Sequence, residues 1–218
     1  MAVNLSSELD LLLAACRSDA DFATVHERMR DRIDWHRFGS LARSHKLGAL
    51  AATRISRAQL TTLPNEVRIA LEAYRRDIVT RNLAQDVGTA QVIQLLTTAG
   101  IRALAFKGVA AARLLHGDVH GQRVSSDIDV LVAAEDLSAA EAALAAAGYR
   151  KEWPGFEVAP KAQPVLMYLA HAFTWISPDM GLAVELHHRL THNPHWFDVR
   201  FDRLWDASEE VALQVGSV

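Results

Sequence analysis

The sequence contains very little cysteine. Cys16 is the single cysteine in 218 residues, so no internal disulfide can form within the chain and a four-cysteine zinc site is excluded. Such a chain is typical of a reducing compartment. Cys16 ends an apolar run that begins at Leu11, which favours a small buried side chain over a nucleophile.

Long apolar segments and a strong net charge are also missing. No apolar run reaches the roughly 18–20 residues that a membrane-spanning helix needs. The N-terminus, Met1 to Glu8, has no basic region before an apolar stretch, so we expect no signal peptide. The formal net charge of −3 provides no general attraction for nucleic acid. We therefore expect a cytoplasmic protein that does not associate with a membrane.

The periodicity of apolar residues divides the chain into two parts. Up to Gly100 the spacing is helical, with Asp34 as a candidate helix cap and Gly88 as a point where a long final helix would be interrupted. Beyond Gly100, short apolar runs alternate with helical segments. We predict a helical N-terminal lobe, residues 1–98, followed by a core of mixed helix and strand, residues 99–218.

Several segments of the second part have the composition of strands. Two of them flank a turn-forming stretch, Ser177 to Gly181, and predict an antiparallel hairpin. The predicted strands are Ile101–Phe106, Ser125–Val132, Val165–Ile176, Leu182–Leu190 and a last one at Val211–Val215. Helices are predicted between them, at Val109–Leu115 and Glu135–Ala147. The sequence therefore predicts an α+β fold.

Two carboxylates stand in the predicted strand Ser125–Val132. Residues two apart in a strand point to the same side, so Asp127 and Asp129 project together while Ile128 and Val130 enter the core. Adjacent carboxylates repel each other, and a hard divalent cation such as Mg²⁺ relieves that repulsion. Because Mg²⁺ keeps positions open for phosphate oxygens, the pattern indicates a metal site that also binds a triphosphate.

Three residues nearby are candidates for binding phosphate. Lys107 and Gly108 form a strand-to-helix turn, where a glycine permits close approach and a helix N-terminus offers free N–H groups. Arg123 precedes the carboxylate strand and is a further candidate. A cation and a metal around one pocket suit phosphoryl chemistry.

A third carboxylate, Glu185, lies in an apolar strand-like segment, where it is costly to bury unless it is paired or metal-bound. If the sheet places it beside Asp127 and Asp129, it completes a cluster that binds a metal or deprotonates an acceptor. His187 lies on the same face and is a candidate for orienting the substrate.

The order of these motifs resembles a known family. Phe-Lys-Gly at 106–108, Asp-Ile-Asp at 127–129, Gly-Tyr at 148–149 and Glu-Leu-His at 185–187 are together similar to the uncharacterised bacterial nucleotidyltransferases. That family belongs to the DNA polymerase beta-like nucleotidyltransferase superfamily. The resemblance spans roughly residues 35–190.

The resemblance implies a nucleotidyltransferase-fold mixed sheet flanked by helices, and transfer of a nucleoside monophosphate from a triphosphate such as ATP with Mg²⁺ or Mn²⁺. It implies that Asp127 and Asp129 are the metal-binding pair and that Glu185 is the third carboxylate. The wider superfamily has Gly-Gly or Gly-Ser where this chain has Lys107-Gly108, so a usual phosphate-contacting serine is missing. Family members commonly extend beyond this length, which leaves open a C-terminal truncation.

Two alternatives remain open at this stage. The missing serine favours a catalytically inactive module that binds a nucleotide or a partner. The histidine-rich stretch from His187 to His195 allows a weaker hypothesis of a zinc or nickel site. The acceptor is also open: a small molecule or a protein side chain is more compatible with the net charge than an RNA end.

Overall fold

The computed structural model describes residues 5–17, 22–29, 32–57, 65–116, 125–193, 199–213 and 216–217. The chain forms two compact units. One comprises Met1–Asn82 with Asp118–Val124, and the other comprises Leu83–Gly117 with Ser125–Val218. The main division falls between Asn82 and Leu83. The domain boundary at residue 98 stays a prediction.

The first unit is helical over its described residues. Ser6 caps the first helix by accepting a hydrogen bond from the Leu9 N–H, and Asp34 caps the third by accepting one from the Arg37 N–H. Its core consists of side chains such as Leu11, Leu12, Val25, Phe38, Ala42, Ala51 and Ile55. Its helices are α1 (Ser7–Cys16), α2 (Phe22–Arg28), α3 (Trp35–Ser44), α4 (Gly48–Arg57) and the first part of α5 (Asn65–Thr98).

The second unit contains a five-stranded mixed sheet. Its strands are β1 (Ala103–Ala105), β2 (Asp127–Val132), β3 (Arg150–Trp153), β4 (Ala172–Ile176) and β5 (Ala183–His187), in the order β1-β2-β5-β4-β3. β2 and β5 are parallel, and the other neighbouring strands are antiparallel. The predicted hairpin between β4 and β5 and the predicted α+β fold with a mixed sheet are both confirmed.

One face of this sheet is packed against helices. Alternate strand residues, among them Val130, Val184 and Leu186, form a core with Val92 and Leu96 of α5. The helices of the unit are the rest of α5, then α6 (Gly108–His116), α7 (Leu137–Ala146), α8 (Gln163–Leu169) and α9 (Phe201–Asp206). Because strand side chains alternate, the residues between these core positions point to the opposite face.

Gly88 was expected to interrupt the long helix, but α5 continues through it. A Cβ atom at this position would lie 2.7 Å from Ile128 Cδ1 and 2.8 Å from Leu182 Cδ1. The glycine therefore lets the helix approach the sheet closely. Its role is in packing, and the helix is not broken there.

The prediction of one strand over residues 165–176 is wrong. Residues 163–169 form α8, and β4 begins only at Ala172. Pro164 stands in the first turn of α8, where its fixed backbone angle favours a helix and its missing N–H costs nothing. Short apolar runs do not distinguish helix from strand by periodicity, and the proline was the informative residue.

Near the C-terminus, β6 (Ala212–Leu213) pairs with β7 (Gly216–Ser217). Over the described part of the chain, none of the helices is both long enough and apolar enough to cross a membrane.

Candidate active site

The pairing of β2 with β5 brings together two of the three predicted carboxylates, Asp129 and Glu185. Asp129 is the register partner of Glu185, and Leu131 is the partner of His187. Partners in adjacent strands point to the same face. Asp129, Glu185 and His187 therefore share the face of the sheet opposite the core of α5 and α7.

A single oxygen of Asp129 is the centre of this cluster. Its Oδ1 atom accepts a hydrogen bond from Lys107 Nζ at 2.7 Å and lies 2.9 Å from His187 Nε2. The same Nε2 lies 3.2 Å from Glu185 Oε2. Asp129 is buried with a side-chain exposure of 4%, whereas Lys107 retains 45% and Glu185 33%. The site thus has a closed interior end at Asp129 and an open end at Lys107 and Glu185.

The electrostatic balance keeps Asp129 ionised. Burial acts to raise the pKa of this carboxyl, but the hydrogen bonds from His187 and Lys107, together with their charges, outweigh burial. The pKa of Asp129 therefore lies below its usual range. A carboxylate that stays charged in a buried position is well suited to bind a cation.

His187 is held rigidly in the interior. Its side chain has no exposed surface, and its ring makes edge contacts with Phe106 at 4.8 Å and with His171 at 5.1 Å between ring centroids. An ionised carboxylate only accepts hydrogen bonds, so Nε2 carries the proton. Among the residues that the structure describes, Nδ1 has no hydrogen-bond partner.

His171 extends this cluster on the β4 side. Its ring centroid lies 3.7 Å from that of His192. Burial, followed by the charges of His192 and His187, lowers the pKa of His171 to about 4. His171 is therefore neutral near pH 7 and adds no positive charge to the site.

The turn between β1 and α6 requires a glycine at position 108. Gly108 adopts φ +55°, which is unfavourable for any residue with a Cβ. Such a Cβ would also lie 3.0 Å from Ser125 Oγ. The turn places Lys107 directly before the N-terminus of α6, with its Nζ at Asp129.

Of the other predicted site residues, Asp127 lies outside this cluster and Arg123 lies outside the described residues. Asp127 is half-buried at the start of β2, and its Oδ1 accepts a hydrogen bond from Ser126 Oγ at 3.2 Å. Asp127 is not part of the group that Asp129, Glu185 and His187 form. Arg123 lies outside the described residues, so its candidate role stays a prediction.

The cluster has the donor set of a metal site. One ligand atom from each of Asp129, Glu185 and His187 lies within 4.8 Å of the others, and these are the only three such side chains grouped in this way over the described ranges. Two carboxylate oxygens and an imidazole nitrogen fit a divalent cation.

The hypothesis of a separate zinc or nickel site at residues 187–195 receives little support. His188 Nε2 lies 3.0 Å from the carbonyl oxygen of Ala170, and His192 packs against His171. His195 is outside the described residues. Of the histidines in this stretch that the structure describes, only His187 joins the carboxylates.

Sequence reasoning missed the hydroxyl groups beside the site. Ser125 Oγ donates to the carbonyl oxygen of Asp127 at 2.9 Å, and Ser126 donates to the Asp127 carboxylate. The Ser-Ser pair directly before Asp127 was the available signal. The inward position of His187, in contrast, depends on the parallel pairing of β2 with β5, which no local pattern reveals.

Paired carboxylates on neighbouring parallel strands, with a lysine at an adjacent strand-to-helix turn, supply the groups that a divalent cation and a phosphate group can bind. The sequence model of one family, described as uncharacterised nucleotidyltransferases, matches residues 31–217. The match covers most of the chain, and the protein therefore belongs to this family. No curated protein matches the chain, and no solved structure does.

Family membership confirms the predicted resemblance and supports nucleotidyl transfer as the general activity, with a nucleoside triphosphate as substrate. It specifies neither the acceptor nor a metal ion.

Proposed function

We propose that the protein transfers a nucleoside monophosphate from a nucleoside triphosphate to an acceptor hydroxyl, with the help of a divalent cation, Mg²⁺ or Mn²⁺. The observation that carries the proposal is the convergence of Lys107 and His187 on the buried Asp129, with Glu185 in contact with the same His187 nitrogen. A buried anion beside a half-exposed lysine is an arrangement that a metal–triphosphate complex can enter. A purely structural ion pair between Lys107 and Asp129 does not need a second, partly exposed carboxylate such as Glu185.

Each side chain has a defined task in this reaction. Asp129 and Glu185 hold the cation, with Asp127 two residues away on the same strand face. When bound, the cation neutralises phosphate charge and polarises the reacting phosphorus centre. Lys107 is half-exposed and therefore able to turn from Asp129 to a phosphate oxygen, while Gly108 lets the phosphates approach the backbone.

The chemical step is an in-line displacement at the α-phosphorus. The acceptor oxygen forms the new P–O bond, the bond to the pyrophosphate group breaks, and pyrophosphate leaves with its electron pair. The acceptor proton passes to a base, for which a Glu185 oxygen that is not engaged elsewhere is the candidate. Small-molecule and protein acceptors fit the acidic chain better than RNA does.

Calorimetric titration of the four nucleoside triphosphates tests the proposal. The protein is titrated in Mg²⁺, in Mn²⁺ and in EDTA, and Asp129→Asn is compared with the wild type. We expect cation-dependent binding that Asp129→Asn abolishes. Asp77→Asn is the matched control, because Asp77 pairs with Arg81 on an exposed helix surface. Equal binding by wild type and Asp129→Asn would overturn the assignment.

The departure from Gly-Ser at Lys107-Gly108 favours a second candidate, a module that binds a nucleotide without turnover. Release of pyrophosphate separates the two. The release assay is run with a panel of hydroxyl-bearing small molecules and with a protein lysate as acceptors. Cation-dependent nucleotide binding without release of pyrophosphate would favour the binding module. Pyrophosphate formation that requires Asp129 would establish the enzyme.

A further inference from the structure

We propose that His187 is itself a ligand of the cation, and that the site therefore prefers Mn²⁺ to Mg²⁺. The proposal rests on the proposed function in that a divalent cation binds at Asp129 and Glu185. It goes further by arguing that the nitrogen donor of this cluster determines which cation the site prefers.

The distances within the cluster match those between ligands of one ion. Octahedral bonds of about 2.1 Å place neighbouring ligand atoms about 3.0 Å apart. A tetrahedral ion with similar bonds requires about 3.4 Å. His187 Nε2 lies 2.9 Å from Asp129 Oδ1 and 3.2 Å from Glu185 Oε2. The first separation is close to the octahedral value and the second lies midway between the two values. All three ligand atoms lie within 4.8 Å of one another, so a modest rearrangement would bring them onto one cation.

The position of the imidazole is fixed before any cation binds. The ring is fully buried and lies between Phe106 and His171, so it has no alternative direction in which to turn Nε2. A preorganised ligand loses little conformational entropy on binding. His187 would bind the cation through Nε2 as a neutral ring whose single proton is on Nδ1.

Donor chemistry determines which cation fits best. Mg²⁺ strongly prefers oxygen and binds imidazole poorly. Mn²⁺ shares with Mg²⁺ an affinity for carboxylate oxygens, and as a first-row transition-metal ion it would bind a nitrogen ligand more readily than Mg²⁺ does. Replacement of one oxygen donor by His187 Nε2 therefore shifts the preference of the site from Mg²⁺ towards Mn²⁺.

The surroundings of His187 Nδ1 limit the affinity of the site for Mn²⁺. Metal-bound histidines usually donate their second N–H to an acceptor, and loss of that partner costs roughly 10–100-fold in affinity. Nδ1 of His187 has no such partner in the described part of the chain. We therefore expect modest intrinsic Mn²⁺ affinity, increased when a triphosphate adds its own oxygens.

Pulsed electron paramagnetic resonance of Mn²⁺ bound to the wild-type protein tests the proposal directly. A ligating imidazole produces electron spin echo modulation from its ¹⁴N nucleus, whereas carboxylate and water ligands produce none. We expect this modulation in the wild type and its loss in His187→Gln. His45→Gln is the matched control, because His45 is exposed at the end of α3. We also expect Mn²⁺ to bind about tenfold or more tightly than Mg²⁺, and this ratio to fall in His187→Gln.

The outcomes separate the two proposals. Mn²⁺ bound without ¹⁴N modulation in the wild type would overturn the role of His187 and leave the carboxylate site standing. Equal affinities for Mn²⁺ and Mg²⁺ in the wild type would overturn the preference. Failure of any divalent cation to bind, even with a triphosphate present, would overturn the proposed function as well. The wild-type spectrum decides the ligand, so the test does not depend on the folding of the variant.

Discussion

Replacement of Asp129 by Asn should lower the stability of the protein even when no cation is present. The side chain of Asp129 is almost fully buried, and its Oδ1 accepts hydrogen bonds from Lys107 and His187. An Asn Oδ1 retains an acceptor at the same position but removes its charge. The expected loss is therefore the difference between charged and neutral hydrogen bonds, about 1 kcal/mol for a buried bond.

The two bonds do not contribute equally. The bond to His187 is buried and should lose about 1 kcal/mol, whereas Lys107 is half-exposed and its contribution is reduced by solvent to between 0 and about 1 kcal/mol. We expect the free energy of unfolding to fall by about 1–2 kcal/mol. Asp127→Asn should cost less, because Asp127 is half-buried and receives one bond from Ser126.

Urea unfolding in EDTA, followed by circular dichroism, measures this difference. The pH dependence adds a second check. Because the pKa of Asp129 is below its usual range, its stabilising effect is fully present above the unfolded-state pKa of about 3.9 and disappears as the pH falls through the folded-state pKa. The gap between wild type and Asp129→Asn should close at the lowest pH.

The opposite result would refute this reasoning. Suppose that Asp129→Asn were as stable as the wild type in EDTA, or more stable. The free-energy cost of burying the Asp129 charge near Glu185 would then exceed the stabilisation from the hydrogen bonds of Lys107 and His187. The cluster would then be a strained site stabilised only by a bound cation, and addition of Mn²⁺ should restore the stability of the wild type alone.

Three further predictions concern neighbouring residues. Calorimetry should show that Lys107→Met weakens binding of the metal–triphosphate complex about tenfold to a hundredfold, and that Lys107→Arg stays closer to the wild type. An unchanged dissociation constant in Lys107→Met would exclude a phosphate contact. Gly108→Ala should lose about 1–2 kcal/mol in urea unfolding, because alanine is strained at φ +55° and its Cβ meets Ser125 Oγ at 3.0 Å; a Ser125→Ala background should recover only the contact part. The pKa of His171 is lowered to about 4, so the free energy of unfolding of the wild type should decrease as the pH falls from about 6.5 to about 4. His171→Gln should make that decrease smaller. The same pH dependence in His171→Gln and the wild type would contradict this prediction.

Local signals were sufficient where a single residue determines the structure. Asp34 caps α3, and the turn at Ser177–Gly181 joins β4 to β5. In each case a side chain or its absence acts on its own backbone, and sequence spacing reports it. The error at α8 arose because an apolar run was interpreted without Pro164.

The site was harder to predict because it depends on contacts between distant segments. The alternation in β2 predicted that Asp127 and Asp129 face the same side, but no local pattern distinguishes their depth. Asp129 is buried against His187, whereas Asp127 stays at the strand end beside Ser126. That difference follows from the strand register between Asp129 and Glu185, which is a property of the assembled sheet.

The parallel pairing of β2 with β5 also links correct folding to the formation of the site. A shift of one residue in β2 would turn Asp129 into the apolar core and expose Val130. The free-energy penalty for that error is large, because an unpaired buried carboxylate and an exposed core side chain occur together. The packing of the hydrophobic core therefore selects the strand register that also forms the site. A chain in which β2 is out of register is unstable, and it cannot persist as a folded protein with a misaligned site.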